Sequence, residues 1–421
     1  MRIVIASDIY YPMTNGVAVF AHNLARGLCL RGHEVMVIAP SFNGKFHIDT
    51  DEETGLKTVH LTSARFPFYP DQINKVPENK KMFGRKVPRL AYKHGIWWSV
   101  NPYFEIKKVL NEFKPDVVHL QTAETIALAI MQYVHKYNIP LVSTGHAYPD
   151  NVTGQFKFLK PVKKPVDAAV RAYMASFLKH SEYATVPTEI AIDGLMPKHK
   201  KSFKVTVEAI SNGIDLSEFF PAKPSAKICK KYKIDLKKPR IIYVGRVDPE
   251  KSIDVLISAF SKVSERLPEA EFMIVGDGIA KPDLEEQSRG LGLKDKVRFL
   301  GRVMPPELQE IYRAGDVFAT ASETETQGIV LIEAAATGLP LVAVDAGAVS
   351  ELCQNGKNGI LCKPKDVDAI AEALISLLNN KKLQSEYSKN SIEIAKKHDL
   401  SNTLKRFEEI YKIAISNKSV E

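Results

Sequence analysis

Two carboxylates, Glu325 and Glu333, stand eight residues apart in the run from Ser322 to Pro340, on either side of the Gly328–Ile329 step. The run follows a strand-like segment, and a helix opens near Gly328. A helix start presents unpaired backbone N–H groups and the positive end of the helix dipole, which suits a phosphate at Gly328–Ile329. Glu325 then lies before the helix and Glu333 one to two turns inside it, an arrangement in which paired carboxylates can meet paired hydroxyls. Taken alone, the same spacing also arises by chance, with Glu325 capping a helix and Glu333 in solvent.

A second set is cationic. Arg246 and Lys251 are five residues apart in the stretch Val244 to Ile253, which reads as a strand end, a tight loop and a helix start. Two cations there can converge on a diphosphate that gains charge as it leaves, or they form an ordinary surface pair. Strand-end loops of open α/β sheets are where ligands bind. A third candidate is Gly16, in the first strand-to-helix turn, where a glycine lets backbone approach a ligand closely. His146 follows a buried-looking strand and points into an interdomain cleft if the sheet is doubly wound, whereas His119 reads as packed at its own strand end. Gly276-Asp277-Gly278 never reaches a third glycine, so nicotinamide dinucleotide binding is poorly supported. The patterns Asp49/Asp51, in a loop, and Asp366/Asp368, at a helix start where Asp366 reads as an N-cap, do not make a metal site.

These residues need a scaffold, and the chain supplies strand-like runs alternating with helical patterns. Arg2–Ser7, Glu34–Ala39, Val117–Leu120, Leu141–Thr144 and Ala184–Pro187 recur in the first half. Arg240–Val244, Glu271–Val275, Val297–Leu300, Val317–Ala319 and Leu341–Val344 recur in the second. Such alternation means parallel α/β sheets, here in two similar units joined near Asn212-Gly213. The segment Val17–Arg31 sets Phe20, Leu24 and Leu28 at helical spacing and stops at Gly32, and helical patterns close the chain over 366–379, 383–397 and 403–416.

Composition narrows the classes. At 421 residues, 45% hydrophobic and 25% charged, the chain is globular and too long for one core, which favours two domains. Its four cysteines form no CxxC pair, so neither a disulfide framework nor a zinc site is expected, and a reducing compartment fits. The N-terminus reads as a first strand and not as an export signal, and Thr125–Val134 is about half of the ~20 residues a spanning helix needs. The net charge of +9 lies almost wholly in residues 1–200, with 25 Lys+Arg against 17 Asp+Glu, so that half needs an anionic partner or a solubility explanation.

Together these residues resemble the retaining glycosyltransferases of the GT-B fold, specifically the family with an E-x7-E signature. The resemblance runs through the Gly16 turn, Arg31-Gly32-His33-Glu34, Asp116 to His119, Gly145-His146, Ser211 to Asp215, Gly245-Arg246, Glu250-Lys251, Val275 to Gly278, Phe299 to Arg302, and Glu325 with Glu333. It implies two Rossmann-like doubly wound domains with a cleft between them. Residues 1–214, with a returning helix over 402–421, would bind the acceptor, and residues 215–401 the sugar nucleotide. It also implies that Arg246 and Lys251 hold the donor diphosphate and that Glu333 binds the ribose hydroxyls. Glu325 would contact the transferred sugar, assisted by backbone N–H groups of Gln327, Gly328 and Ile329. His146 would sit beside the sugar and acceptor, and the base would stack near Gly301, Arg302 and Val303. The expected reaction proceeds with retention of configuration and without a catalytic metal or other cofactor.

Thr326-Gln327-Gly328 is similar to the branch that makes glycosyldiacylglycerols, while Ser252 stands where that family usually has glycine. Two basic stretches carry aromatics. Lys75–Lys93 has seven Lys+Arg and one Glu and is flanked by Phe66, Phe68, Tyr69, Trp97 and Trp98; Gln155–His180 has six Lys+Arg and one Asp with Phe156, Phe158, Leu159, Tyr173, Met174, Phe177 and Leu178. Cations mixed with aromatics suit an anionic lipid surface, each cation being worth ~1 kcal/mol there. A charged, solvated surface over a normal core is the plainer reading, and Pro161 and Pro165 prevent one continuous helix through the second stretch. No nucleic-acid motif accompanies the charge. The resulting expectation is a cytoplasmic enzyme, peripheral on the inner membrane face, moving a hexose such as glucose from a UDP-sugar to a lipid such as diacylglycerol. The alternatives are a soluble transferase making a polysaccharide or small glycoside, and a nucleotide-sugar-binding protein without turnover.

Overall fold

The computed structural model describes residues 1–13, 15–65, 81–82, 85–86, 97–146, 162–195 and 205–420. They divide into two units, Met1–Ser211 with Thr403–Glu421, and Asn212–Asn402.

The first unit holds β1 (Arg2–Ala6), β2 (Glu34–Pro40), β3 (His47–Thr50), β4 (Lys57–Leu61), β5 (Ser63–Arg65), β6 (Lys81–Met82), β7 (Arg85–Lys86), β8 (Trp97–Ser99), β9 (Val117–Leu120), β10 (Leu141–Thr144), β11 (Tyr183–Val186) and β12 (Thr206–Ala209). Its main sheet runs β12-β11-β10-β9-β1-β2-β4-β3, and only β3 is antiparallel to its neighbour. The strand order reverses beside β1. Central strands such as β1 and β9 are buried along continuous apolar runs because helices cover both faces. The helix Gly16–Leu30 starts on Asn15, whose side chain accepts from the Ala18 N–H at 2.9 Å, and buries Phe20, Leu24 and Leu28. The helix Leu400–Val420 enters this unit at Thr403, placing Phe407 and Tyr411 against His119. His119 is wholly buried between the Tyr411 hydroxyl (2.8 Å) and the Thr144 hydroxyl (2.7 Å), so it packs as its strand-end position suggested. Arg31 and His33 both reach Glu408 of the same helix, at 2.8 and 2.9 Å.

The second unit holds β13 (Arg240–Val244), β14 (Glu271–Val275), β15 (Val297–Gly301), β16 (Val317–Ala319), β17 (Leu341–Val344) and β18 (Gly359–Cys362), in the all-parallel order β15-β14-β13-β16-β17-β18. Alternate residues of β13 serve opposite faces. Ile241 and Tyr243 join a core with Phe260 and Phe272, and Ile242 and Val244 join another with Met273, Phe318 and Leu331.

Two details differ from the sequence reading. Strands β3 to β8 and β18 were not among the expected runs; β3, for one, alternates half-buried and exposed residues at a sheet edge, too weak a pattern for its four residues. In the second basic stretch, the helix Lys163–Lys179 tolerates Pro165 because the first turn needs no donor there, and it buries Phe177 and Leu178 in the core while Tyr173 stays exposed. Those two residues are therefore unavailable to a membrane. Phe66, Phe68, Tyr69, Phe156, Phe158 and Leu159 lie outside the described residues, as does Lys75–Lys93 apart from β6 and β7.

Candidate active site

In the second unit the strand order reverses between β13 and β16, which pair through Ile241↔Val317 and Ile242↔Phe318. Loops leaving such neighbours at their carboxyl ends open a crevice suited to ligands. The loop after β13 carries Arg246 and Lys251, and the loop after β16 carries Ser322 and Glu325. A short 3-10 turn over Pro249–Lys251 and a left-handed Ser252 (φ +49°) lead into the helix Ile253–Arg266. A left-handed backbone is one that glycine adopts more readily than serine. Lys251 Nζ reaches Glu325 Oε1 at 2.7 Å and Ser322 Oγ at 3.4 Å. The Lys251 and Glu325 side chains are only 13% and 17% exposed, so this pair is sheltered from screening. Burial alone would push the Glu325 carboxyl up; the Lys251 charge and hydrogen bond, the Ser322 hydroxyl and the Arg246 charge outweigh it and hold the group below its ordinary value.

Arg246 is held by Asp248 and Glu250 of its own loop, and its carbonyl accepts from the Tyr243 hydroxyl at 2.8 Å. Asp248 also accepts from the Ile279 N–H at 3.2 Å, tying this loop to the one after β14. The approach is close enough that a Cβ on Gly276 would lie 1.8 Å from the Gly245 carbonyl oxygen, which only glycine permits. Gly276 N–H in turn donates to the Gly301 carbonyl at 2.9 Å, placing the Gly301–Val303 segment beside the same strand ends. Val303 is buried in the core, so its side chain does not face a base. Arg302 is partly exposed.

Gly328, left-handed at φ +81°, starts the helix Ile329–Ala336. The Glu325 carbonyl is fixed by the Ala348 N–H at 3.0 Å. Gln327 is buried, and its side-chain oxygen accepts from Asn212 N–H at 3.1 Å. Glu333 is not drawn into the Lys251–Glu325 pair; the buried Tyr312 hydroxyl donates to its Oε2 at 2.7 Å. Burial raises this carboxyl from 4.5 to about 7, the Tyr312 hydrogen bond lowering it somewhat and the Glu218 charge adding to the rise. A proton therefore binds the folded chain more tightly than the unfolded one between pH 4.5 and about 7. Wild type should lose up to ~3 kcal/mol relative to Glu333→Gln as pH rises through that window. Urea unfolding of both proteins from pH 4 to 8 checks this, and parallel curves would contradict it.

Gly16 and His146 belong to the first unit. Gly16 is exposed at the first helical position, behind the Asn15 cap. His146 follows β10, packs on Phe20 with ring centroids 5.1 Å apart, and donates from Nε2 to Gln121 Oε1 at 2.8 Å. Burial pushes its pKa down to about 3, so the ring is neutral near pH 7 with its lone pair on Nδ1. Ser322, Tyr312, Asp248 and Gln121 had been given no role in the sequence reading. Asp248 is two residues from Arg246 in one loop, but the others share no recognisable spacing with their partners; Tyr312 and Glu333 lie 21 residues apart on different helices.

A family model described as "Glycosyl transferases group 1" matches residues 225–394, and one described as "Glycosyltransferase Family 4" matches residues 14–218. The chain is similar to the sulfoquinovosyl transferase SQD2 of Arabidopsis thaliana, 30% identical over 382 residues, covering 90% of this chain and 66% of that one. It is also similar to an alpha-monoglucosyldiacylglycerol synthase of Acholeplasma laidlawii, 28% identical over 93% of this chain and 92% of that one. Among solved structures, sucrose-phosphate synthase from Thermosynechococcus elongatus has the same fold at TM-score 0.76, with 17% identity over 99% of each chain.

Proposed function

Starting from a chain that belongs to the group 1 glycosyltransferases of the GT-B fold, we propose that it moves a hexose, with glucose the first candidate, from a UDP-sugar to a diacylglycerol-type lipid. The second unit takes the donor and the first unit the acceptor. The observation that carries this reading is the sheltered Lys251–Glu325 pair at the strand-order reversal, with Arg246 on the same loop as Lys251.

In this reading a donor diphosphate lies along the loop after β13, where Lys251 and Arg246 offset the charge that grows as its bond to the anomeric carbon breaks. Glu325, kept ionised, accepts from sugar hydroxyls. The acceptor hydroxyl attacks the anomeric carbon on the face the diphosphate leaves, so configuration is retained, and a departing phosphate oxygen takes the hydroxyl proton. The two cations supply the charge stabilisation, and no catalytic metal is invoked. His146, being neutral, offers its Nδ1 lone pair to a hydroxyl donor without bringing charge to the acceptor. Glu333 binds the ribose hydroxyls as a carboxylate, so donor affinity should rise with pH through about 7.

The lipid acceptor draws support from the names of the two similar chains and from the basic character of residues 1–200. Among the described residues no helix is long and apolar enough to cross a membrane, and the proposed enzyme works from the membrane surface. A soluble sugar acceptor is the second reading, favoured by the burial of Phe177 and Leu178. A thermal-shift screen of nucleotide sugars identifies the donor. The chosen donor is then offered with diacylglycerol in anionic vesicles, and glycolipid is sought by mass spectrometry. Glycolipid formation with binding to the vesicles at low salt is expected; turnover confined to soluble acceptors, with no vesicle binding, would overturn the lipid assignment.

A further inference from the structure

Strands β3 and β4 form an antiparallel hairpin at the edge of the first unit's sheet, with His47 directly opposite His60 and Asp49 opposite Thr58. Residues two apart on a strand share a face, and so do direct cross-strand partners. His47, Asp49 and His60 therefore project from one side of the hairpin. Their ligand atoms all lie within 4.8 Å of one another. The two imidazoles stack with centroids 4.4 Å apart and planes 11° from parallel.

We propose that His47, Asp49 and His60 form a site for a late first-row divalent ion, zinc being the first candidate. The backbone contacts of the two rings support coordination, although one ring must turn out of the stack for both to face a common ion. His47 Nδ1 lies 2.9 Å from the Lys45 carbonyl and His60 Nδ1 3.4 Å from the Pro40 carbonyl. A carbonyl oxygen only accepts, so each Nδ1 carries a proton and, in the neutral ring, Nε2 is the nitrogen left to bind a metal. Backbone acceptors behind histidine ligands are the usual device for fixing tautomer and ring direction at a metal. The carboxylate completes the set, with Asp49 Oδ2 3.5 Å from His60 Nε2.

Two nitrogens and one oxygen suit zinc, nickel or copper, whereas magnesium and calcium require oxygen-rich shells. Bond lengths near 2.0–2.1 Å put tetrahedral ligand atoms about 3.3 Å apart, so binding requires closing the present separations by at most about 1.5 Å through side-chain rotation. The His60 side chain is 12% exposed and that of Asp49 48%, which leaves the remaining coordination position open to water. Asp51, the other half of the Asp-x-Asp pattern, is engaged differently: its carboxylate caps the hairpin turn, accepting from Thr54 N–H and Thr54 Oγ1, each at 2.9 Å. The pattern that spacing discounts as a metal pair thus separates into a turn residue and a ligand. Bound metal would tie β3 to β4 at a sheet edge where β3 has no second strand partner among the described residues.

The test is isothermal titration of the full chain, stripped with EDTA and dialysed, with zinc alone and with magnesium alone. Saturable binding of one zinc per chain and no magnesium binding are expected, with a zinc-dependent rise in Tm. His47→Ala and His60→Ala should each weaken zinc by more than about tenfold, and Asp49→Asn by less. His47 is half-buried at the hairpin, so His47→Ala keeps the test decisive if His60→Ala does not fold. Absence of saturable binding, or undiminished binding in folded His47→Ala through some of the other histidines, would overturn the site.

Discussion

Lys251→Ala is expected to lower kcat by about 10²–10³-fold while the chain remains folded. The ammonium sits 2.7 Å from Glu325, at the carboxyl ends of the two strands where the sheet order reverses. In the proposed mechanism its charge interacts most strongly with the diphosphate after the bond to the sugar has begun to break, so the loss should fall on kcat more than on donor KM. Alanine also leaves the Glu325 carboxylate without its nearest cation in a sheltered position, which destabilises the second unit. Lys251→Met, which keeps more of the side-chain bulk, separates that packing cost from the chemistry. Steady-state kinetics with circular dichroism for both variants are the check. An unchanged kcat in a folded variant would remove Lys251 from the mechanism.

Glu325→Gln is the second large effect, with kcat/KM falling by about 10²-fold or more because a fixed anionic acceptor is replaced by a neutral group beside an unpaired lysine. The shape is nearly conserved, so the loss reports charge and not packing. The double variant Lys251→Met with Glu325→Gln supplies a further readout. It contains neither half of the pair, and its stability should exceed that expected from adding the two single losses, by about 1 kcal/mol or more. Simple additivity in urea unfolding would mean that the pair is not coupled, and activity lost equally by all three proteins would fit two groups acting as one unit.

The parallel strands were legible in the sequence because continuous apolar runs alternate with helical stripes, as in Ile3–Ile5 followed by Phe20, Leu24 and Leu28. The charged residues of the proposed donor site were legible as types at strand ends, but not their partners. Nothing in the spacing from Lys251 to Ser322 and Glu325 predicts a bond across more than seventy residues; it follows only once β13 and β16 are known to be neighbours. Arg246 and Glu333 illustrate the same limit. Their immediate partners are Asp248, Glu250 and Tyr312, set by loop geometry and helix packing that local periodicity does not encode. His47 and His60 were hidden for a related reason: a cross-strand pair becomes visible only when register is fixed, and β3 is too short to announce itself.

The most direct measurement is the affinity of nucleoside diphosphates, compared with their parent nucleosides, by isothermal titration in EDTA. For the matching base, the diphosphate should bind at least ~100-fold more tightly than the nucleoside without any divalent ion, and Lys251→Ala should erase most of that advantage. Equal affinities for the two compounds, or a diphosphate advantage that appears only with added magnesium or survives intact in Lys251→Ala, would contradict the assignment of that lysine to the leaving group.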